Sequence, residues 1–263
     1  MAEISFPVTR RGDRDASTAV VFVHGVADQG GSFKRVAKHL SDMNCFWYNR
    51  AGYGDRKDTS PHGELAAEIR DLVEVVDVAR SESPVVVLAG HSLGGVISIA
   101  AAAQHPVVHS VVVYEPPTPW GQGWITEKMD VEDRKTSMAR FGAWIADLST
   151  GGATGGDHRG RTTQWSIMGR SILFDTILMS DSEFPSCPAA PLWCMYGTET
   201  EPSFLPSLET LQQHWAGIEL RPVLGAEHLG HRTHSDQFAA VVREAIEQVY
   251  QPQSVSDQTA VDS

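Results

Sequence analysis

The chain has 263 residues, of which 41% are hydrophobic and 21% charged, so fibrous and wholly disordered classes are excluded. That length can bury a large core without metal or disulfide support. Twenty-one basic residues against 33 acidic ones leave a net charge of −12, which repels phosphate backbones and anionic lipids and argues against nucleic acid or membrane partners. The cysteines, Cys45, Cys187 and Cys194, lack zinc-ribbon spacing and read as reduced thiols, with one Cys187–Cys194 bridge as the alternative. No secretory leader, apolar run of spanning length or prenylation box is visible, so a cytoplasmic location is expected.

In chain order, apolar β-branched runs alternate with helical patterns. The first two runs are Thr18–His24 and Asn44–Asn49. A helix is predicted over Gly63–Ser81, with Leu65, Ile69, Leu72, Val73 and Val76 on one stripe. Pro84–Ala89, a helix over Leu93–His105 and the run His109–Tyr114 follow. After a long interval come Pro191–Tyr196, Ile218–Leu224 and a last helix that Ser235 is expected to cap. Runs such as VVFV and VVVLA do not alternate, which is the signature of strands buried on both faces. The predicted fold class is therefore α/β, a mostly parallel central sheet with helices on both faces.

The interval Pro119–Pro188 is far longer than a crossover needs. It holds Trp120, Trp124, Phe141, Trp144, Trp165, Met168 and Phe174, and a glycine-rich stretch over Gly151–Gly160. It reads as a helical cap or lid, giving a core of residues 1–118 and 189–251, a cap of 119–188 and a disordered polar tail of 252–263. Trp144 and Trp165 are the expected substrate-binding wall residues, roofing a pocket for a medium-sized apolar molecule.

The most specific string is Gly90-His91-Ser92-Leu93-Gly94-Gly95, G-x-S-x-G between a strand and a helix. That turn is tight enough to require the glycines, and it lifts Ser92 above the sheet at a helix N-terminus. A nucleophilic serine needs a base and a group to orient it. After the last strand, Leu224-Gly225-Ala226-Glu227-His228-Leu229-Gly230-His231 offers His228 as base, with His231 as runner-up. His231 and His234 read as solvated or capping side chains. The His228, His231, His234 spacing could suggest a metal, but no acidic ligand motif or helical i, i+4 pair accompanies it, so no metal is expected. The other eight histidines, His91 among them, read as structural or surface.

For the acid there are three choices. Glu115 ends a buried strand and is pinned by Pro116 and Pro117, where a carboxylate is costly unless paired. Glu199 and Glu201 lie on a polar loop and read as solvated. Two N–H donors should bind the oxyanion, Leu93 after the nucleophile and Val26 on the loop after the first run.

These segments resemble an α/β-hydrolase from about Val20 to Val249. His24-Gly25, Asn49 to Gly54, Gly90 to Gly95 and Gly225 to His228 each match a family motif, and the cap falls at the family's insertion point. The resemblance implies a Ser-His-acid hydrolase. The family's usual G-x-x-D is missing here, because Gly197 plus three is Thr200. A subgroup that includes the zearalenone lactonases instead carries a catalytic Glu after the family's sixth strand, where Glu115 stands, and Thr200 to Phe204 is also similar to it. The resemblance therefore implies Ser92, His228 and Glu115, with no cofactor. Only about 17 residues precede the first core strand, so the family's first hairpin is expected to be truncated or absent. The expected activity is hydrolysis of an apolar ester or lactone, and the expected partner is that small molecule, with self-association left open. A C–C bond hydrolase, a thioesterase, a cofactor-free perhydrolase and a non-catalytic binding protein are the alternatives. A serine nucleophile, rather than an aspartate, disfavours dehalogenase and epoxide hydrolase chemistry.

Overall fold

The computed structural model describes residues 4–117, 171–172, 174–175, 178–179, 186–202, 205–215 and 217–251. Most of the expected cap, with Trp144 and Trp165, and the tail 252–263 lie outside the described residues.

Seven strands form one sheet: β1 Val8–Gly12, β2 Thr18–Val23, β3 Asn44–Tyr48, β4 Val85–His91, β5 Ser110–Tyr114, β6 Leu192–Gly197 and β7 Glu219–Val223. Their order is β1-β3-β2-β4-β5-β6-β7. Only β1 is antiparallel. It was not predicted, because Val-Thr-Arg-Arg-Gly carries two arginines and half-exposed positions, as an edge strand does. The part of the family's first hairpin found here is this single strand, paired to β3 rather than β2.

The continuous apolar runs are explained by burial on both faces. Val21, Leu88 and Val113 pack on one side against α2 (Leu65–Glu82) and α3 (Leu93–Gln104). Val20, Val87 and Val112 point to the other side, against α1 (Lys34–His39) and α6 (Ser235–Tyr250). Each such side chain contributes about 1.5–3 kcal/mol on burial. Two short helices, α4 (Leu205–His214) and α5 (Gly230–Thr233), are also among the described residues. Ser235 begins α6 but makes no cap bond; the cap position falls to His234. No helix among the described residues is long and apolar enough to cross a membrane. All three thiols are free; Cys45 and Cys194 are buried and Cys187 is exposed.

The chain runs from β2 to β3 in one direction, then crosses back past β2 to β4. The strand order reverses there, and in such sheets the loops leaving the C-terminal ends of the strands beside the reversal, here β2 and β4, are the usual ligand position.

Three described residues of the expected cap reach the main core. Ile172, Leu178 and Met179 join the cluster under α2 and α3. Between them, Asp175 meets the fully buried Arg50, which also contacts Glu68 at 3.2 Å. Tyr53 donates its hydroxyl to Asp175 at 2.5 Å. Burial, with Glu68 adding its charge, pushes the Asp175 carboxyl up to about 6 against the pull of Arg50. The folded state thus keeps a proton that the unfolded chain releases near pH 4. This group favours folding fully below about pH 4 and loses that contribution as pH rises through about 6. Relative to Asp175→Asn, the wild type should gain about 1–3 kcal/mol of unfolding free energy between pH 7 and pH 4 in urea titrations. A difference that stays flat across that window would contradict the assignment.

Candidate active site

Strand β4 ends at His91, and Ser92 follows with φ 52° and ψ −126°. Holding a non-glycine residue there costs on the order of 1–3 kcal/mol. The neighbouring glycines allow the turn. A Cβ on Gly90 would lie 2.5 Å from the Gly94 carbonyl, and one on Gly94 would lie 2.1 Å from the Val23 carbonyl. The Ser92 N–H donates to the Tyr114 carbonyl at 2.9 Å, tying the turn to the end of β5. Leu93 opens α3, so its N–H has no acceptor within the helix.

Glu115 follows β5 with φ 44° and is 1% exposed. Its carboxylate accepts three hydrogen bonds: the Gly197 N–H at 2.8 Å, the Thr200 hydroxyl at 2.9 Å and His228 Nδ1–H at 2.7 Å. Thr200 occupies the position where the family usually places its acid. A hydroxyl suits a site whose carboxylate arrives from the neighbouring strand, since a second carboxylate would repel it. With Nδ1–H on Glu115, the neutral His228 ring carries its lone pair on Nε2.

The His228 loop is tied down from below. Tyr114 donates its hydroxyl to the Glu227 carbonyl at 2.6 Å, and its ring fills the space where Gly230 would carry a Cβ. His91 Nε2–H donates to the His228 carbonyl at 2.8 Å.

On the other side, the loop after β2 lies against the turn: a Cβ on Gly25 would sit 2.8 Å from the Ser92 Cβ. His24 donates Nδ1–H to the Gly25 carbonyl and accepts the Arg50 N–H at Nε2. Burial, reinforced by Arg50, lowers its pKa to about 3, so the ring stays neutral. Val26 is partly buried against the core, and Ala27, at φ 55°, donates its N–H to the Tyr53 hydroxyl at 3.3 Å. Among the described residues, Ala27, Ser92 and Glu115 are the non-glycine positions with positive φ, and all three lie just past the C-terminal ends of β2, β4 and β5.

The sequence model of the alpha/beta hydrolase family matches residues 20–244. The chain belongs to that family. Monoglyceride lipase of Rattus norvegicus is 33% identical over 101 residues, 36% of this chain and 33% of the relative, so the match spans about a third of that protein. A lipase-esterase related protein from Clostridium acetobutylicum superposes with TM-score 0.69 at 15% identity, covering 91% of this chain and 98% of the other. The enol-lactonase of Burkholderia xenovorans LB400 does so with TM-score 0.66 at 15% identity, covering 92% and 96%.

In this alpha/beta hydrolase, the residues singled out from sequence separate into distinct places. Ser92, Glu115 and His228 lie on the segments that follow β4, β5 and β7, with Glu115 and His228 hydrogen-bonded, while Glu199 and Glu201 are exposed. His231 is not the solvated side chain expected: it is fully buried and donates Nε2–H to Asp28 at 3.1 Å. It sits in the single helical turn α5, too short to carry a sequence signal of burial, which is why it was misread. His228, His231 and His234 have separate partners, Glu115, Asp28 and Thr233, so their spacing does not converge on one point.

Packing at the turn yields a test of stability. Gly94→Ala should cost about 1–3 kcal/mol, because the intruding methyl meets backbone. Gly31→Ala, where nothing lies within 4 Å, should stay within about 0.5 kcal/mol. Urea midpoints for the two variants check this, and equal midpoints would contradict the packing described.

Proposed function

We propose that this protein is a serine hydrolase of carboxylic esters or lactones. The observation that carries the reading is the buried Glu115–His228 hydrogen bond of 2.7 Å, formed beside a strained Ser92 at a helix N-terminus. Ser92 Oγ attacks the substrate carbonyl while His228 Nε2 takes its proton. Charge collects on the carbonyl oxygen, where the Val26 and Leu93 N–H groups receive it. The intermediate collapses to an acyl-enzyme as His228 returns the proton to the leaving alcohol. Water then repeats the sequence and releases the acid. Glu115 fixes the Nδ1–H tautomer and stabilises the imidazolium. These steps use only the chain's own side chains and backbone.

An acid on this strand, with Thr200 donating to it, supports a place beside the zearalenone lactonase-like subgroup. The names of two similar proteins, a monoglyceride lipase and an enol-lactonase, accord with ester or lactone bonds. The proposed substrate is medium-sized and apolar, with Trp144 and Trp165 as proposed wall residues.

Ser92→Ala should lower kcat by on the order of 10⁵ to 10⁶. A fluorophosphonate should add to Ser92 alone, detected by peptide mass. Across a panel of esters, lactones and thioesters, bulky apolar esters or lactones should exceed acetate esters in kcat/KM. Activity surviving in Ser92→Ala would contradict the mechanism, and a panel led by acetates or thioesters would contradict the substrate class.

A further inference from the structure

A second cluster of titratable groups lies beside the triad residues and takes no part in the steps above. Asp28 is two residues after Val26, His91 immediately precedes Ser92, and His231 is three residues after His228. His231 donates Nε2–H to Asp28 at 3.1 Å, and Ser32 donates its hydroxyl to the same oxygen at 2.9 Å. The His231 ring stacks on His91 with centroids 3.9 Å apart and 29° between planes. His91 in turn donates Nε2–H to the His228 carbonyl at 2.8 Å.

We propose that Asp28, His231 and His91 are positioning residues that lock the backbone of His228 and the Val26 loop against the Ser92 turn. The proposal rests on the reading of His228 as base and Val26 as oxyanion donor. The contacts run without a gap from the loop after β2, through the loop after β7, to the turn after β4, and end on the base's own carbonyl. Glu115 fixes the His228 ring, whereas His91 fixes its main chain; both are needed to hold Nε2 at one point.

The protonation states agree with this arrangement. Burial keeps His91 well below its ordinary value and lowers His231 against the pull of Asp28. Both rings are therefore neutral at pH 7, and two neutral rings stack without charge repulsion. Burial, the largest influence, would raise Asp28, but the hydrogen bond from His231 and the attraction of the neighbouring His231, His24 and His91 rings together outweigh it and hold the carboxyl below its ordinary value. Each ring donates once through Nε2 and leaves Nδ1 buried without a hydrogen-bond partner. The directed N–H bonds to Asp28 and to the His228 carbonyl offset the cost of those two unpaired nitrogens.

A cation is the competing use, since ligand atoms of Asp28, His91 and His231 lie within 4.8 Å of one another. Metal ligation requires ring lone pairs that converge in their own planes. Here His231 Nε2 already carries the proton given to Asp28, and His91 Nδ1 stands 4.0 Å from the same carboxylate oxygen, so the hydrogen-bonded arrangement occupies the ligand atoms.

The test is a double-mutant cycle on an ester substrate. His91→Leu should lower kcat by on the order of 10–100-fold, as a displacement near 1 Å does, with KM within about threefold. His91→Gln, whose amide can reach the same carbonyl, should recover most of that loss. In a His228→Ala background, His91→Leu should have no further effect, because it acts through His228. A full loss persisting in that background, or a loss confined to KM, would overturn the proposal. If His228→Ala itself stays active, the base assignment fails, and that outcome is read separately from the His91 arm. Should His91→Leu not fold, His231→Phe keeps the stacked ring, removes the bond to Asp28 and carries the same comparison.

Discussion

The site depends on a carboxylate buried where water cannot solvate it. Glu115 is 1% exposed, and an ionised carboxylate in such a place is untenable without partners. It finds them on separate segments, the end of β6 through Gly197, the following loop through Thr200 and the loop after β7 through His228. Meeting that requirement draws two loops onto the end of β5. The positive φ of Glu115 is the local cost of turning the side chain toward them.

The opposite wall follows a different rule. There the buried charges of Arg50, Glu68 and Asp175 satisfy one another, and His24 stays neutral between the Arg50 N–H and the Gly25 carbonyl. Tyr53 links this network to Ala27, so the loop that carries Val26 is supported from the segment after β3 through Arg50 and Tyr53, from α2 through Glu68 and from Asp175. Strain at Ala27, Ser92 and Glu115 is offset by two apolar layers that enclose β2, β4 and β5 on both faces. A rigid sheet with strained loops at one edge suits a reaction in which donors must be in place before charge develops.

The parallel strands β2 to β6 were legible because each is a short, mainly apolar run, and a two-face burial demand leaves that trace; β7, Glu-Leu-Arg-Pro-Val, buries only Val223 and was read from its place in the alternation. Strand β1 and helix α1 were not: Arg10 and Arg11 mask an edge strand, and Lys34–His39 buries only Val36 and Ala37. Ser92 and His228 stood out through their glycine-punctuated turns. Thr200 was noticed as a missing acid, but its role as donor to Glu115 needed the geometry. The Arg50–Asp175 pair spans 125 residues with no local pattern on either side, so only the folded chain brings it to view. His231 was misread for the same reason, since its partner Asp28 lies 203 residues away.

The most direct measurement compares kcat for Glu115→Gln with Glu199→Gln and Glu201→Gln on one ester substrate. The Glu115 variant should lose on the order of 10³ to 10⁴ in kcat with little change in KM, because only the tautomer and charge support of His228 are removed. Each loop variant should stay within about tenfold of wild type, as solvated charges do. A large loss at Glu199 or Glu201, with Glu115→Gln still active, would contradict the account and move the acid to the loop after β6.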